Sequence, residues 1–187
     1  MFRSRKVTKN EEVWSVELVQ GDRFDDLFRT FELSAFHLEV QDSYHTSEET
    51  GPFHLFLTGE ADDFAWHRPW LDLVGEATAN GRRVTRARVI TVPHGDYTRW
   101  GLTVAEHNIA AGEEIRWLPR HLIAAEELTT DDFWLFDDSR VVFTVFEPGG
   151  QFVGGACTTD PTIAARCRAV RDRVWEAAIP HHLYVAT

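Results

Sequence analysis

Two cysteines and one methionine are all the sulfur in this chain of 187 residues. Cys157 and Cys167 have no metal-ligand spacing and cannot build a disulfide framework, so both are expected reduced and buried. Long apolar runs are missing too: nothing approaches the ~20 residues that a membrane span needs. The opening MFRSRKVTKNEEVW is basic, but no apolar stretch follows it, which predicts no secretory leader and a cytoplasmic address. Also absent are GxxxxGK[ST], GxGxxG, GxSxG, HExxH and CxxC, so nucleotide-driven, triad and zinc-protease chemistries lose their usual signatures. No cofactor is expected. Nine histidines are present, yet no pair has helical ligand spacing, and no metal is expected either.

A net charge of −11 disfavours direct nucleic-acid binding, because the phosphate backbone repels an acidic surface. The charge is unevenly spread. Residues 1–81 sum to −9, residues 82–120 to +3 and residues 121–187 to −5. A basic island inside an acidic chain either pairs with its flanks or offers a focus for an anion. Thirteen Phe and seven Trp predict a core built on rigid rings.

Periodicity supplies the elements. A charged arm over 1–21 includes an alternating segment, Val13 to Val19, that fits an edge strand. Phe24, Leu27, Phe28, Phe31, Ala35 and Leu38 recur at three- and four-residue steps and predict one helix, with Asp22 as its cap. Further helices are expected over 48–58 (with Pro52 in its first turn), 68–79 and 96–111, stopped by Gly59, Asn80-Gly81 and Gly112. Strands are expected over 82–92, 114–118, 132–137, 141–146 and 152–157, the third and fourth as a hairpin and the last after a Pro148-Gly149-Gly150 turn. Asp160-Pro161 should open a final helix. The expected architecture is mixed α/β: a single domain over 22–187, with a helical lobe (22–80) beside a four- to five-stranded mixed sheet flanked by helices (81–187).

The richest polar cluster is PHGDYTRW, residues 93–100, where a strand gives way to a helix. His94 and Asp96 could share a proton, and Tyr97 and Arg99 lie in the first turn, where free N–H groups attract anions. Alternatively Asp96 caps the helix and Tyr97 packs in the core. Arg86 and Arg88 alternate along their strand and share a face. With Arg116 from the next strand they could clamp a carboxylate or phosphate, unless Glu113, Glu114 or Asp132 neutralise them. Asp137 and Asp138 suit a hairpin turn better than a metal.

The stretches FDDLFRTFELSAFHLEVQDSY (24–44), WHRPWLDLVGEATANGRRVTRARVI (66–90), GEEIRWLPR (112–120), DDFWLFDD (131–138) and RDRVWEAA (171–178) resemble an actinomycete family known as a domain of unknown function. The resemblance implies a neighbourhood beside helix-turn-helix regulators and no particular chemistry. The order of elements is also similar to one half of a phospholipase-D-like domain. Such enzymes carry His-x-Lys just before the strand that ends in Asp; Thr130 and Asp132 stand there instead, so only the architecture is implied. Three functions follow as expectations. The first is a non-enzymatic regulatory or ligand-sensing module that works with a helix-turn-helix regulator and binds a small anionic ligand. The second is an enzyme acting on an anion through His94, Asp96, Tyr97 and Arg99. The third is an acidic protein that masks a basic surface.

Overall fold

The computed structural model describes residues 16–147 and 151–186. Most of the charged arm, the start of the Val13 segment and the Pro148-Gly149-Gly150 turn lie outside the described residues. In chain order the elements begin β1 (Glu17–Val19), α1 (Asp22–Thr30), β2 (Ser34–Glu39), α2 (Ser47–Thr58) and α3 (Arg68–Ala79). They continue β3 (Arg83–Ile90), α4 (Asp96–Ala110), β4 (Glu114–Pro119), β5 (Phe133–Phe136) and β6 (Arg140–Phe146). The chain closes with β7 (Phe152–Thr158), α5 (Pro161–Ala177), β8 (Ile179–Pro180) and α6 (His181–Tyr184).

The strands form one eight-stranded mixed sheet in the order β1-β7-β6-β5-β2-β3-β4-β8. This corrects the expected four to five strands. The pairs β2–β3 and β3–β4 are parallel, and every other pair is antiparallel. The largest error is β2, which the sequence reading absorbed into the first helix. A step of four residues fits a helical face and a strand face alike, so Phe31 and Ala35 could not discriminate. In the folded chain Phe31 turns extended and closes α1, and Ala35, Phe36, Leu38 and Glu39 are all buried. Burial on both faces marks a central strand, and β2 indeed lies between β5 and β3. The expected helical lobe therefore contributes a strand to the middle of the sheet. At the edges, β1 and β8 have only three and two residues.

Local chemistry explains most other boundaries. Gly59 closes α2 in the left-handed region at φ 73°, which a residue without a Cβ adopts freely. Pro52 sits inside that helix, beyond the first turn. Gly21, not Asp22, takes the cap position of α1. Asp160 caps α5, its side chain accepting from Thr162 N and Ile163 N at 2.7 and 3.2 Å, with Pro161 next. The β5–β6 hairpin turns through Asp137 and Asp138 at φ 50° and 57°, the two positive values that a type I′ turn requires. The Asp137 carboxylate then accepts N–H bonds from Glu32, Leu33 and Ser34 at 2.9, 2.7 and 3.0 Å. A hairpin tip thereby anchors the entry to β2, one hundred residues earlier.

The sheet has two differently furnished faces. One carries Phe36, Leu38, Ala87, Val89, Phe133 and Leu135 and is covered by the Cys167–Val170–Val174 stripe of α5. The other packs Trp134, Phe136 and Val84 against α1 and α3. Toward the carboxyl end of β2 and β3 this second face turns polar.

Candidate functional site

The alternation that buries Phe36 and Leu38 against α5 sends His37 and Glu39 to the opposite face. Parallel pairing sets His37 beside Arg86 and Glu39 beside Arg88. On the other side His37 faces Trp134 across the β2–β5 pair. Arg88 neighbours Trp117 on β4. Four charged or titratable groups thus share one patch of a sheet whose surroundings are aromatic.

Their pairing is dense. Glu39 receives Arg86 through Oε1, and Arg88 through Oε2 with Nε 2.5 Å away. Arg86 also donates from Nε to Glu113 Oε1 at 2.7 Å. Asn108 donates to the second Glu113 oxygen at 2.8 Å, and its own carbonyl meets His67 Nε2 at 2.5 Å. His37 Nδ1 stands 3.3 Å from Glu39 Oε1, and its ring stacks on Trp134 with centroids 4.1 Å apart. The Arg88 guanidinium lies over the Tyr97 and Trp117 rings at 5.9 and 5.3 Å. Helix α4 makes room for it with a glycine: a Cβ on Gly101 would stand 2.6 Å from Arg88 Nη1.

Charge states follow from this geometry. Burial alone would raise the Glu39 carboxyl, but Arg88 and Arg86 outweigh it and hold Glu39 far below the usual carboxylate range. Burial lowers the His37 ring below its ordinary value despite Glu39 beside it, so it is neutral near pH 7. Burial raises the Asp132 carboxyl, with Glu39 adding to the effect. Tyr97 donates to Glu49 Oε2 at 2.7 Å, and burial with that carboxylate pushes its phenol well above its ordinary value.

Above the patch, α1–α4 leave a cavity of about 550 Å³. Its walls include Trp66, Trp70, Trp100, Trp134, Tyr44 and Tyr97, and its floor holds Arg86, Arg88, Glu39, His37, Asp132 and Thr144. The volume lies in the range of drug-sized ligand pockets, with the usual aromatic lining and few convergent polar groups. Five of those groups keep buried polar atoms without a well-aligned hydrogen bond: both His37 ring nitrogens, Glu39 Oε2, Arg88 Nε, Asp132 Oδ2 and Thr144 Oγ1. Glu39 Oε2 and Arg88 Nε still meet as an ion pair, and His37 Nδ1 lies near Glu39, which leaves His37 Nε2, Asp132 Oδ2 and Thr144 Oγ1 with neither. Buried polar atoms are nearly always satisfied, so such a cluster opening on a cavity marks where a bound molecule would complete the bonding.

Of the seven residues the sequence offers as ligand-binding, Arg86, Arg88 and Tyr97 line this cavity. The others are elsewhere. Arg116 pairs in register with Ala87, not with an arginine, so it faces α5, where its guanidinium lies 4.2 Å from the Trp175 ring centre. Three arginines on one face was therefore an error of register: β4 is shifted by one residue from the assumed alignment, and one residue reverses a strand's faces. Asp96 and Arg99 pair with each other on the exposed side of α4. His94 lies outside, its Nε2 2.8 Å from the Tyr184 hydroxyl. His94, Asp96, Tyr97 and Arg99 do not converge, because Tyr97 points inward while its neighbours point out. The pairing of arginines with Glu113 and Glu114, weighed from the sequence, occurs for Arg86 and Arg116.

Glu39, His37 and Asn108 were missed, while Glu113 and Asp132 were weighed only as partners that would neutralise the arginines. A signal existed for two of them. In SAFHLEV, His37 and Glu39 occupy alternate positions between Phe36, Leu38 and Val40, which is a strand pattern with a polar face. Assigning the segment to a helix hid it. Asn108 gives no such signal, since an asparagine near a helix end is ordinary surface sequence.

A family model described as Domain of unknown function (DUF6879) matches residues 22–186. The chain belongs to that family. Among curated proteins no sequence matches it. Among solved structures, NucT from Helicobacter pylori is similar with a TM-score of 0.51 and 11% identity, over 90% of this chain and 98% of that one. At that identity the likeness concerns the fold alone. The distant phospholipase-D-like resemblance drawn from element order is supported to that extent and no further. Thr130 and Asp132 both precede β5 here: Asp132 lines the cavity, and Thr130 bonds its neighbour Asp131 at 2.9 Å.

Proposed function

We propose that this chain is a non-enzymatic small-molecule-binding module, and that ligand binding is read out by a partner helix-turn-helix regulator. The observation that carries the binding half is the 550 Å³ aromatic cavity with unpartnered polar atoms at its base. The regulatory half rests on the family resemblance drawn from GEEIRWLPR and DDFWLFDD. Sensing suits the site better than turnover does. Its strongest charges neutralise one another through Glu39 and Glu113, which among the described residues leaves neither Arg86 nor Arg88 free to hold a reacting anion. The arginines that motivated an anionic ligand each have a carboxylate partner, so they do not set the charge of the ligand.

The test is a thermal-shift screen of a diverse metabolite set, followed by calorimetry. At least one compound should raise the melting temperature, and Trp66→Ala, which removes a cavity wall at partial exposure, should weaken that compound. A regulator encoded next to this chain should then bind it differently with and without the compound. No stabilising compound, or one that binds Trp66→Ala unchanged, would remove the cavity from the argument.

A further inference from the structure

We infer that the cavity selects an organic cation, an amine on an apolar or aromatic body, and that Asp132 receives the charged nitrogen. The inference rests on the ligand-binding reading above and names the class of ligand.

The charges lining the cavity decide the sign. Among the described residues its cations are Arg29, Arg86 and Arg88, and its carboxylates are Asp25, Glu39, Glu48, Glu49 and Asp132. Every cation is already engaged. Arg29 bonds Asp26 at 3.1 Å, Arg86 bridges Glu39 and Glu113, and Arg88 meets Glu39 between two aromatic rings. The carboxylates are in excess, and Asp132 is the informative one. It is 1% exposed. Its Oδ1 accepts the Val40 N–H at 2.7 Å, while its Oδ2 has no partner. Thr144, on the neighbouring strand, bonds its N–H to the Asp132 carbonyl at 3.0 Å and leaves its buried hydroxyl unpartnered as well. A carboxylate oxygen only accepts, so the missing partner is a donor. A cationic donor gains most there, because it restores charge balance at a buried site.

The walls fit the same ligand. The Tyr44 hydroxyl shares a hydrogen bond with the Asp132 carboxyl, which leaves Oδ2 still without a partner at bonding geometry, and the Tyr44 ring lies 5.9 Å from those of both Tyr97 and Phe146. Trp66 and Trp100, also in the lining, stack 5.8 Å apart. Ring faces attract ammonium groups and repel carboxylates. The exposed carboxylates of the lining, Asp25 and Glu48, outnumber the exposed cation Arg29 and would also favour a cation.

The experiment is calorimetric titration of the full chain with three probes that share one body: phenethylamine, 2-phenylethanol and 3-phenylpropionate. The amine should bind about tenfold or more tighter than the alcohol, with the carboxylate weakest. Asp132→Asn keeps the acceptor for Val40 and should remove the amine's advantage over the alcohol. Equal affinities for the three, a preference for the carboxylate, or an unchanged amine preference in Asp132→Asn would each overturn the inference. Should that variant not fold, the ordering of the probes on the native chain still decides. Silence from all three at millimolar concentration overturns the cation and leaves the binding reading to the metabolite screen, which does not depend on charge.

Discussion

Glu39 is the keystone of the polar patch because two arginines and a histidine converge on its two oxygens. Removing its charge leaves Arg86 with Glu113 alone and Arg88 with no carboxylate at all. Breaking a buried pair from one side costs about 3–5 kcal/mol, since the abandoned charge stays desolvated. Glu39→Gln should therefore lower unfolding free energy by about that much in a urea titration. A loss under about 1 kcal/mol would mean that water reaches the arginines and the patch is not truly buried. Gly101 makes a finer test. In an exposed helix interior, Gly→Ala gains roughly 0.5–1 kcal/mol. Here the new methyl would meet Arg88 Nη1 at 2.6 Å, so Gly101→Ala should destabilise by about 1–3 kcal/mol instead. Thermal melts that rise in this variant would show that Arg88 moves aside freely.

Strand β5 separates the two halves of the core with four consecutive buried residues, Phe133 to Phe136. Phe133 and Leu135 join the α5 side, whereas Trp134 and Phe136 join the α1–α3 side. The unbroken FWLF run already predicts this, because a strand with one wet face would alternate with polar residues. Trp134 has a second task as the surface on which His37 stacks. Trp134→Ala should cost about 3–5 kcal/mol by chemical denaturation, the range for a large aromatic removed from a core. It should also open the cavity floor and weaken any ligand of the site. Strand β2 is the element whose assignment mattered most. Read as helix, it scatters His37 and Glu39; read as strand, it places them beside Arg86 and Arg88.

For the molecule as a whole, the buried histidines set the acid limit. Burial lowers His37, His67 and His181 below their ordinary values. A histidine with a depressed folded value takes up its proton more readily in the unfolded chain. Its stabilising contribution is complete above the ordinary value of about 6.5 and is lost as pH falls through the folded value. Melting temperature should thus decline as pH drops below about 6.5. His37→Phe should flatten that decline if the mutant folds. Asp132, whose value burial raises, works oppositely. Its contribution is present below the ordinary carboxylate range and lost as pH rises through the raised value, so the native protein gains back some stability in mild acid. A melting temperature that rises steadily from pH 7 to pH 5 would contradict the histidine argument.

Some features of this protein follow from residue order alone, because their causes are local. Gly59 and Asp160-Pro161 act over one turn of chain, and the FWLF run reports its own burial. The resemblance to a domain of unknown function was carried by contiguous motifs and needed no coordinates. The site was different. Arg86 and Arg88 were legible as a pair because alternation is intrinsic to a strand, but their partners Glu39 and Glu113 come from other elements and depend on pairing register. Arg116 shows the limit from the other side: a shift of one residue between β3 and β4, set by how whole strands align, decides which face it joins. The count of eight strands depended likewise on β2 finding neighbours on both sides, which no four-residue period can announce. Sequence encodes each element's faces; which faces meet is settled by packing between segments far apart in the chain.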